Sequence, residues 1–277
     1  MYYLEFLRVR RAFVWYAAII VIVALLVLYG AFVGNHVDFH SHISDNGNTR
    51  DVHMHGFSGV GDMNIPMGPL AAGCGFLALV FATFFAASFN RTSQHAHFAF
   101  VRPVSRVRMA VEVVGVDLAA ILAAQLFALA VTLLTVLFAA AVVHASAHFQ
   151  WDADTLSGGL LGFGAAVMWY AVLQAATAWT PERRGSGLFL GLCIGLLVMA
   201  QPLAHATFFG PVFVDVFKAV LFIDPLAYLS TVHANDSGDA AFGAYFTASV
   251  GVRALIVWAL AAVAIVLASL EWKRVQI

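Results

Sequence analysis

Five of the chain's 11 histidines (His36, His40, His42, His53 and His55) crowd between positions 36 and 55, interleaved with Asp38 and Asp51 and followed by Asp62. Imidazole and carboxylate are the ligands that suit zinc, copper or nickel. Their spacing is that of a strand. Alternation puts His36, Asp38, His40 and His42 on one face of an extended segment, and Asp51, His53 and His55 alternate likewise. Asn46-Gly47 between the two runs is a strong hairpin signal. A two-residue turn there sets His40 against His53, Asp38 against His55 and His42 against Asp51. One face of the hairpin would then be almost wholly imidazole and carboxylate. His144 and His148 add an i, i+4 pair further along. Three readings fit these residues. One is a zinc or copper site drawing on Asp38, His40, His42, Asp51, His53 and His55. A second is a cap that gains charge as pH falls through about 6.5. The third is a solvated loop that is merely rich in histidine.

A second polar set lies in apolar surroundings. Asp117, Gln125, Thr132 and Thr135 fall at about 0°, 80°, 60° and 0° around a helix turning roughly 100° per residue, so they share one face. Such a stripe lines a translocation path or subunit interface, or else makes hydrogen bonds between helices. Glu112 sits four residues from Arg108, where a local surface pair accounts for it. Arg253, opening a later apolar run, is placed to snorkel outward.

Catalytic signatures are missing. No H-E-x-x-H or G-x-S-x-G pattern supports hydrolysis, and no G-x-x-x-x-G-K-[ST] cradles a nucleotide. A haem protein would need paired histidines inside apolar runs, and His205 alone falls within one. The two cysteines, Cys74 and Cys193, lie in apolar stretches and act there as small hydrophobes. The chain is not expected to be an enzyme.

The elements that must position these residues are membrane helices. Hydrophobic residues make up 62% of the 277 and charged residues 10%, where a soluble domain carries about 25% charged. Runs of about 20 apolar residues predict six spans, at 12–33, 66–89, 111–143, 156–178, 187–209 and 248–270. The fold class is all-α, a single polytopic transmembrane domain over 1–277. The first run is too long for the hydrophobic part of a cleavable signal. Span three is long enough to tilt or project. Gly158 and Gly162, and Gly187, Gly191 and Gly195, repeat at four-residue spacing, which favours close helix packing within one subunit over a dimer interface.

Orientation follows from the basic residues. Arg8, Arg10 and Arg11 precede span one, and Arg91, Arg102, Arg106 and Arg108 follow span two. Arg183 and Arg184 follow span four, and Lys273 and Arg274 end the chain. With an even number of spans all of these lie on one side, so both termini are expected in the cytoplasm and the chain in the inner membrane. The histidine-rich loop 34–65 is then outside, as is the region 210–247. There the apolar stretch from Pro211 to Asp224 is too short to span and reads as interfacial or re-entrant. Asp224-Pro225 marks a turn. The partner surface is membrane lipid, and no nucleic acid is expected.

Three features occur in a recognisable order. The chain begins with Leu4-Glu5-Phe6-Leu7-Arg8-Val9-Arg10-Arg11, a short amphipathic basic segment suited to the membrane interface. The loop 90–108 contains Phe98-Ala99-Phe100-Val101-Arg102-Pro103-Val104-Ser105-Arg106. The end is Glu271-Trp272-Lys273-Arg274. This arrangement resembles the membrane permease of type-2 ABC exporters. The resemblance implies an N-terminal interfacial helix, a cytoplasmic coupling loop between spans two and three, and short outer helices between spans five and six. It also implies ATP bound by a separate cytoplasmic subunit and a second permease copy or a related permease. Arg91, Gln94, His95, His97, Phe98 and Phe100 would form the coupling helix. Arg102, Pro103 and Arg106 would carry the chain from it into span three. The stretch Asn90-Arg91-Thr92-Ser93-Gln94 lacks the early Glu that many members carry. The expected cargo is amphipathic or apolar, such as a drug, peptide antibiotic or lipid. A metal-handling membrane protein is the rival reading.

Overall fold

The computed structural model describes residues 2–36, 39–45, 48–54, 63–91, 106–178, 224–230 and 249–274, with scattered positions between 195 and 221. Long helices dominate. Helix α1 is Tyr2–His36, α2 is Met67–Arg91, α3 is Arg106–Val142, α4 is Ala153–Ala178 and α6 is Val250–Arg274, with a short α5 over Pro225–Ser230. Strands β1 (Phe39–Asp45), β2 (Asn48–Met54), β3 (Met63–Pro66) and β4 (Ala147–Gln150) complete the described elements.

Four of the helices carry stretches long and apolar enough to cross a membrane: Val9–Val33, Val114–Val142, Ala153–Gln174 and Val250–Leu267. Helix α2 adds a shorter apolar stretch, Met67–Thr83. The helices match five of the expected runs to within a few residues at most ends. The exception is the start of α1. It begins at Tyr2 and continues unbroken, because no proline or glycine interrupts it before Gly30. The N-terminal basic segment thus runs without a break into the apolar stretch Val9–Val33. The run 187–209 lies outside the described residues, except Gly195 and Met199.

Helix α4 is the centre. Of its apolar stretch 67% is buried, against 11% in α1 and 22% in α3 and in α6. It packs on α2 along one side and α6 along another. One cluster joins Ala78, Phe81 and Ala82 of α2 with Ile121 and Ala124 of α3 and Trp169, Tyr170 and Leu173 of α4. Tyr16 of α1 completes it, its hydroxyl donating to the Ala124 carbonyl at 3.2 Å. A second cluster joins Leu161, Ala165 and Met168 of α4 with Ala254, Val257 and Ala261 of α6. The side chains left exposed are largely apolar: Trp15, Ile22, Leu26 and Tyr29 on α1, Leu126 and Phe138 on α3, Leu255 and Val266 on α6. Lipid is the solvent in which such a surface costs little.

Two small sheets contradict a purely helical description. Strands β1 and β2 form an antiparallel hairpin, while β3 and β4 pair in parallel with Met63 opposite Ala147 and Pro66 opposite Gln150. Each strand of the parallel pair leads almost directly into a helix, β3 into α2 and β4 into α4. The two helices therefore leave the ribbon in the same direction. His144 ends α3 with φ of 55°, and the chain then extends into β4. His144 and His148 thus do not share a helix face, which corrects the i, i+4 expectation.

Candidate functional site

The α2–α4 contact is a crossing of bare backbone. A β-carbon at Gly75 would fall 2.2 Å from Gly162 Cα, and one at Gly158 would fall 2.3 Å from the Gly68 carbonyl oxygen. Only glycine permits this approach, the use expected of small residues between helices in lipid. Gly158 and Gly162 thus pack within one chain, as their spacing predicted. Gly187 and Gly191 lie outside the described residues.

The polar stripe of α3 meets this crossing. Asp117 is fully buried, and the Tyr170 hydroxyl on α4 donates to its carboxylate. Gln125 is buried and its Nε2 donates to Gly159 O at 3.0 Å and Ala71 O at 3.4 Å, bridging α4 and α2. Thr132 accepts a weak hydrogen bond from Cys74 Sγ at 3.9 Å, and Thr135 returns its hydroxyl to Val131 O at 2.8 Å. Three of the four residues bond to neighbouring helices, and the fourth satisfies itself within its own turn. At membrane depth an unpaired carboxyl or amide N–H would cost several kcal/mol, so these bonds fix how the three helices meet. Further interhelical bonds run from Trp169 Nε1 to Thr83 Oγ1 at 2.5 Å and from Trp258 Nε1 to Leu160 O at 3.1 Å.

These pairs also set helix direction. Asp117 meets Tyr170 while Gln125, further along α3, meets Gly159, earlier in α4. Helix α3 therefore runs opposite to α4. Helix α6 runs with α4, since Gly164 meets Val257 and Trp258 while the charges of Asp154 and Arg253, both earlier in their helices, interact. Arg91 at the end of α2, Arg106 and Arg108 at the start of α3, and Lys273 and Arg274 at the end of α6 consequently share one end of the bundle. Val9 and Phe13 of α1 pack on the cluster containing Trp169, Tyr170 and Leu173, which brings Arg10 and Arg11, both exposed, to that end as well. Between Arg91 and Arg106, the expected coupling residues Gln94, His95, His97, Phe98, Phe100, Arg102 and Pro103 lie outside the described residues.

Sequence reasoning did not find the polar residues near α5. Tyr228 is fully buried in the cluster with Leu161, Ala165, Met168 and Val257, so α5 sits inside the bundle. Such burial lets a short segment remain at membrane depth. Asp224 caps it, its Oδ1 accepting from Leu226 N at 2.9 Å. Its Oδ2 is buried and has no hydrogen-bond partner among the described residues. Burial raises this carboxyl to about 6, opposed by the Leu226 bond. The Asp-Pro pair signalled a turn; nothing in the sequence signalled burial. Arg253 is 5% exposed and turned into the bundle, which corrects the snorkelling expectation. Gln174, buried on α4, and Tyr170 were also unmarked.

The histidine-rich segment adopts the register that Asn46-Gly47 implies. His40 stands opposite His53, His42 opposite Asp51 and Asp45 opposite Asn48. Asp38 and His55 lie outside the described residues, as do all side chains of the hairpin. Among described side chains no group of three or more histidine, cysteine or carboxylate residues is placed to hold a metal. The chain matches no family model and no curated protein.

Proposed function

We propose that this chain is the membrane-spanning permease subunit of an ATP-binding cassette exporter, with six spans and both termini in the cytoplasm. It moves an amphipathic or apolar cargo by alternating access. The observation that carries this reading is the gathering of cations at one end of the bundle. Arg10, Arg11, Arg91, Arg106, Arg108, Lys273 and Arg274 come from four different helices and arrive there through independent contacts. A bilayer retains such an end on its cytoplasmic side. The stretch joining α2 to α3 emerges from that same end, basic at both margins and aromatic within, where a cytoplasmic motor can push on it.

The length of α3 supports a mechanical role. Its 37 residues extend about 55 Å at 1.5 Å per residue, against a hydrocarbon core of about 30 Å. A rigid rod projecting from the membrane carries displacement of the coupling loop into the stripe of Asp117, Gln125, Thr132 and Thr135. We assign that stripe to the joint through which α3 drives α2 and α4, beside the translocation path. The chain holds no phosphate loop of its own, so the energy comes from a separate ATPase, with a second permease completing the path.

The test is purification of the tagged chain from its native membrane, with and without Arg102→Glu and Arg106→Glu. The expected result is a co-purifying subunit that carries a phosphate-binding loop and hydrolyses ATP, lost in the double variant while the chain itself stays folded. ATP hydrolysis by the isolated polypeptide, or terminal tags reporting opposite compartments, would refute the reading.

A further inference from the structure

The β1–β2 hairpin assembles a set of ligating residues that the transport reading does not use. The two-residue connection makes Asp45 and Asn48 the hydrogen-bonded pair that closes the turn. Pairs then alternate along an antiparallel ladder. Ser44 and Thr49, His42 and Asp51, and His40 and His53 are therefore non-hydrogen-bonded pairs. In such pairs the Cα atoms approach to about 4.5 Å, against about 5.5 Å in the intervening pairs.

Alternation also sorts the ribbon into two faces. One face holds positions 40, 42, 44, 49, 51 and 53, which are His, His, Ser, Thr, Asp and His. The other holds Phe39, Ser41, Ile43, Asp45, Asn48, Arg50, Val52 and Met54. Every apolar residue of the ribbon lies on the second face and every histidine on the first. A shift of one residue in register would scatter that segregation.

We propose that His40, His42, His53 and Asp51 form a binding site for a divalent transition-metal ion, zinc or copper. Two cross-strand neighbours and two i, i+2 neighbours place these four residues at the corners of one patch. Three imidazoles and a carboxylate make a donor set suited to these ions and unsuited to calcium or magnesium. The need for such a link is physical. An isolated two-stranded hairpin is marginal in water, and β1 and β2 pair with no third strand among the described residues. An ion shared across the strands closes the hairpin. Its binding free energy then becomes ordering free energy, as in small metal-dependent folds.

The experiment uses the purified full-length chain in nanodiscs, stripped with a chelator and dialysed against zinc, copper or magnesium. The expected result is one zinc or copper ion per chain and no magnesium. Zinc binding should weaken at least 10-fold in His40→Ala/His53→Ala and in His42→Ala, and remain unchanged in His144→Ala/His148→Ala. Circular dichroism of each variant reports whether the helical bundle stays intact. Absence of stoichiometric zinc or copper would overturn the proposal, as would equal affinity in the intact hairpin variants. Neither outcome touches the transport reading, which is tested by the ATPase partner.

Discussion

Replacing Gly75 by alanine forces apart two helices that now meet backbone to backbone. The new β-carbon falls 2.2 Å from Gly162 Cα, 2.5 Å from its carbonyl carbon and 2.7 Å from its oxygen, whereas ordinary contact begins at 3.4 Å. All three neighbours are main-chain atoms, so no rotamer change relieves the clash. The helices must separate by about 1 Å, which forfeits a quarter to a half of the dispersion well at each facing atom pair. The Gln125 bridge, at 3.0 Å to Gly159 and 3.4 Å to Ala71, lengthens with them. Overpacking of this kind costs about 1–3 kcal/mol, set against a gain of about 0.5–1 kcal/mol for removing a helical glycine. We expect a net loss of about 1 kcal/mol. Gly73, in the same helix, has nothing within 4 Å of its β-position, so Gly73→Ala collects the gain alone. The assay is unfolding of both variants in one detergent, followed by tryptophan fluorescence. If Gly75→Ala unfolds at the same point as Gly73→Ala, the close crossing of α2 and α4 is wrong.

Asp224→Asn keeps the Oδ1 cap on Leu226 and removes a buried charge. The folded carboxyl is raised to about 6 from an ordinary value of 3.8, so this group's contribution to stability is full below about pH 4 and is lost as pH rises from there through 6. At pH 8 the variant should be more stable than the wild type by about 2–3 kcal/mol, and the gap between their thermal unfolding curves should open as pH rises from 4 to 8. Tyr170→Phe withdraws a hydroxyl from the fully buried Asp117 and should cost about 1–3 kcal/mol. A double-mutant cycle with Asp117→Asn should show coupling; strict additivity would deny that the two groups act on each other. Trp258→Phe loses its bond to the Leu160 carbonyl and should cost about 1 kcal/mol by the same unfolding assay. A loss no larger than that of a lipid-facing control such as Leu255→Val would count against the α4–α6 geometry.

Four of the six expected spans were legible as helices long and apolar enough to cross, because lipid imposes a simple rule: about 20 apolar residues make one crossing. The hairpin register was legible too, since Asn46-Gly47 fixes a turn and the turn fixes every pair. The shared face of Asp117, Gln125 and Thr132 was readable from helical periodicity, but their partners were not. Tyr170 and Gly159 are distant in the chain, and periodicity says which way a residue faces, not what it meets. The β3–β4 pair was invisible for a related reason. Four-residue strands carry too little pattern, Pro66 argues against a strand, and more than eighty positions separate the two. Asp224 illustrates another limit: a turn signal is local, whereas the burial of that turn depends on α4 and α6 closing over α5.

The parallel ribbon of β3 and β4 has a mechanical corollary. It staples the beginnings of α2 and α4 together, and the glycine crossing welds them again a few turns on. Two attachments along one line leave no freedom to splay, so this pair can tilt only as a single blade. Any parting of the bundle must then fall along a different seam, where α1 leans on it with fewer ties.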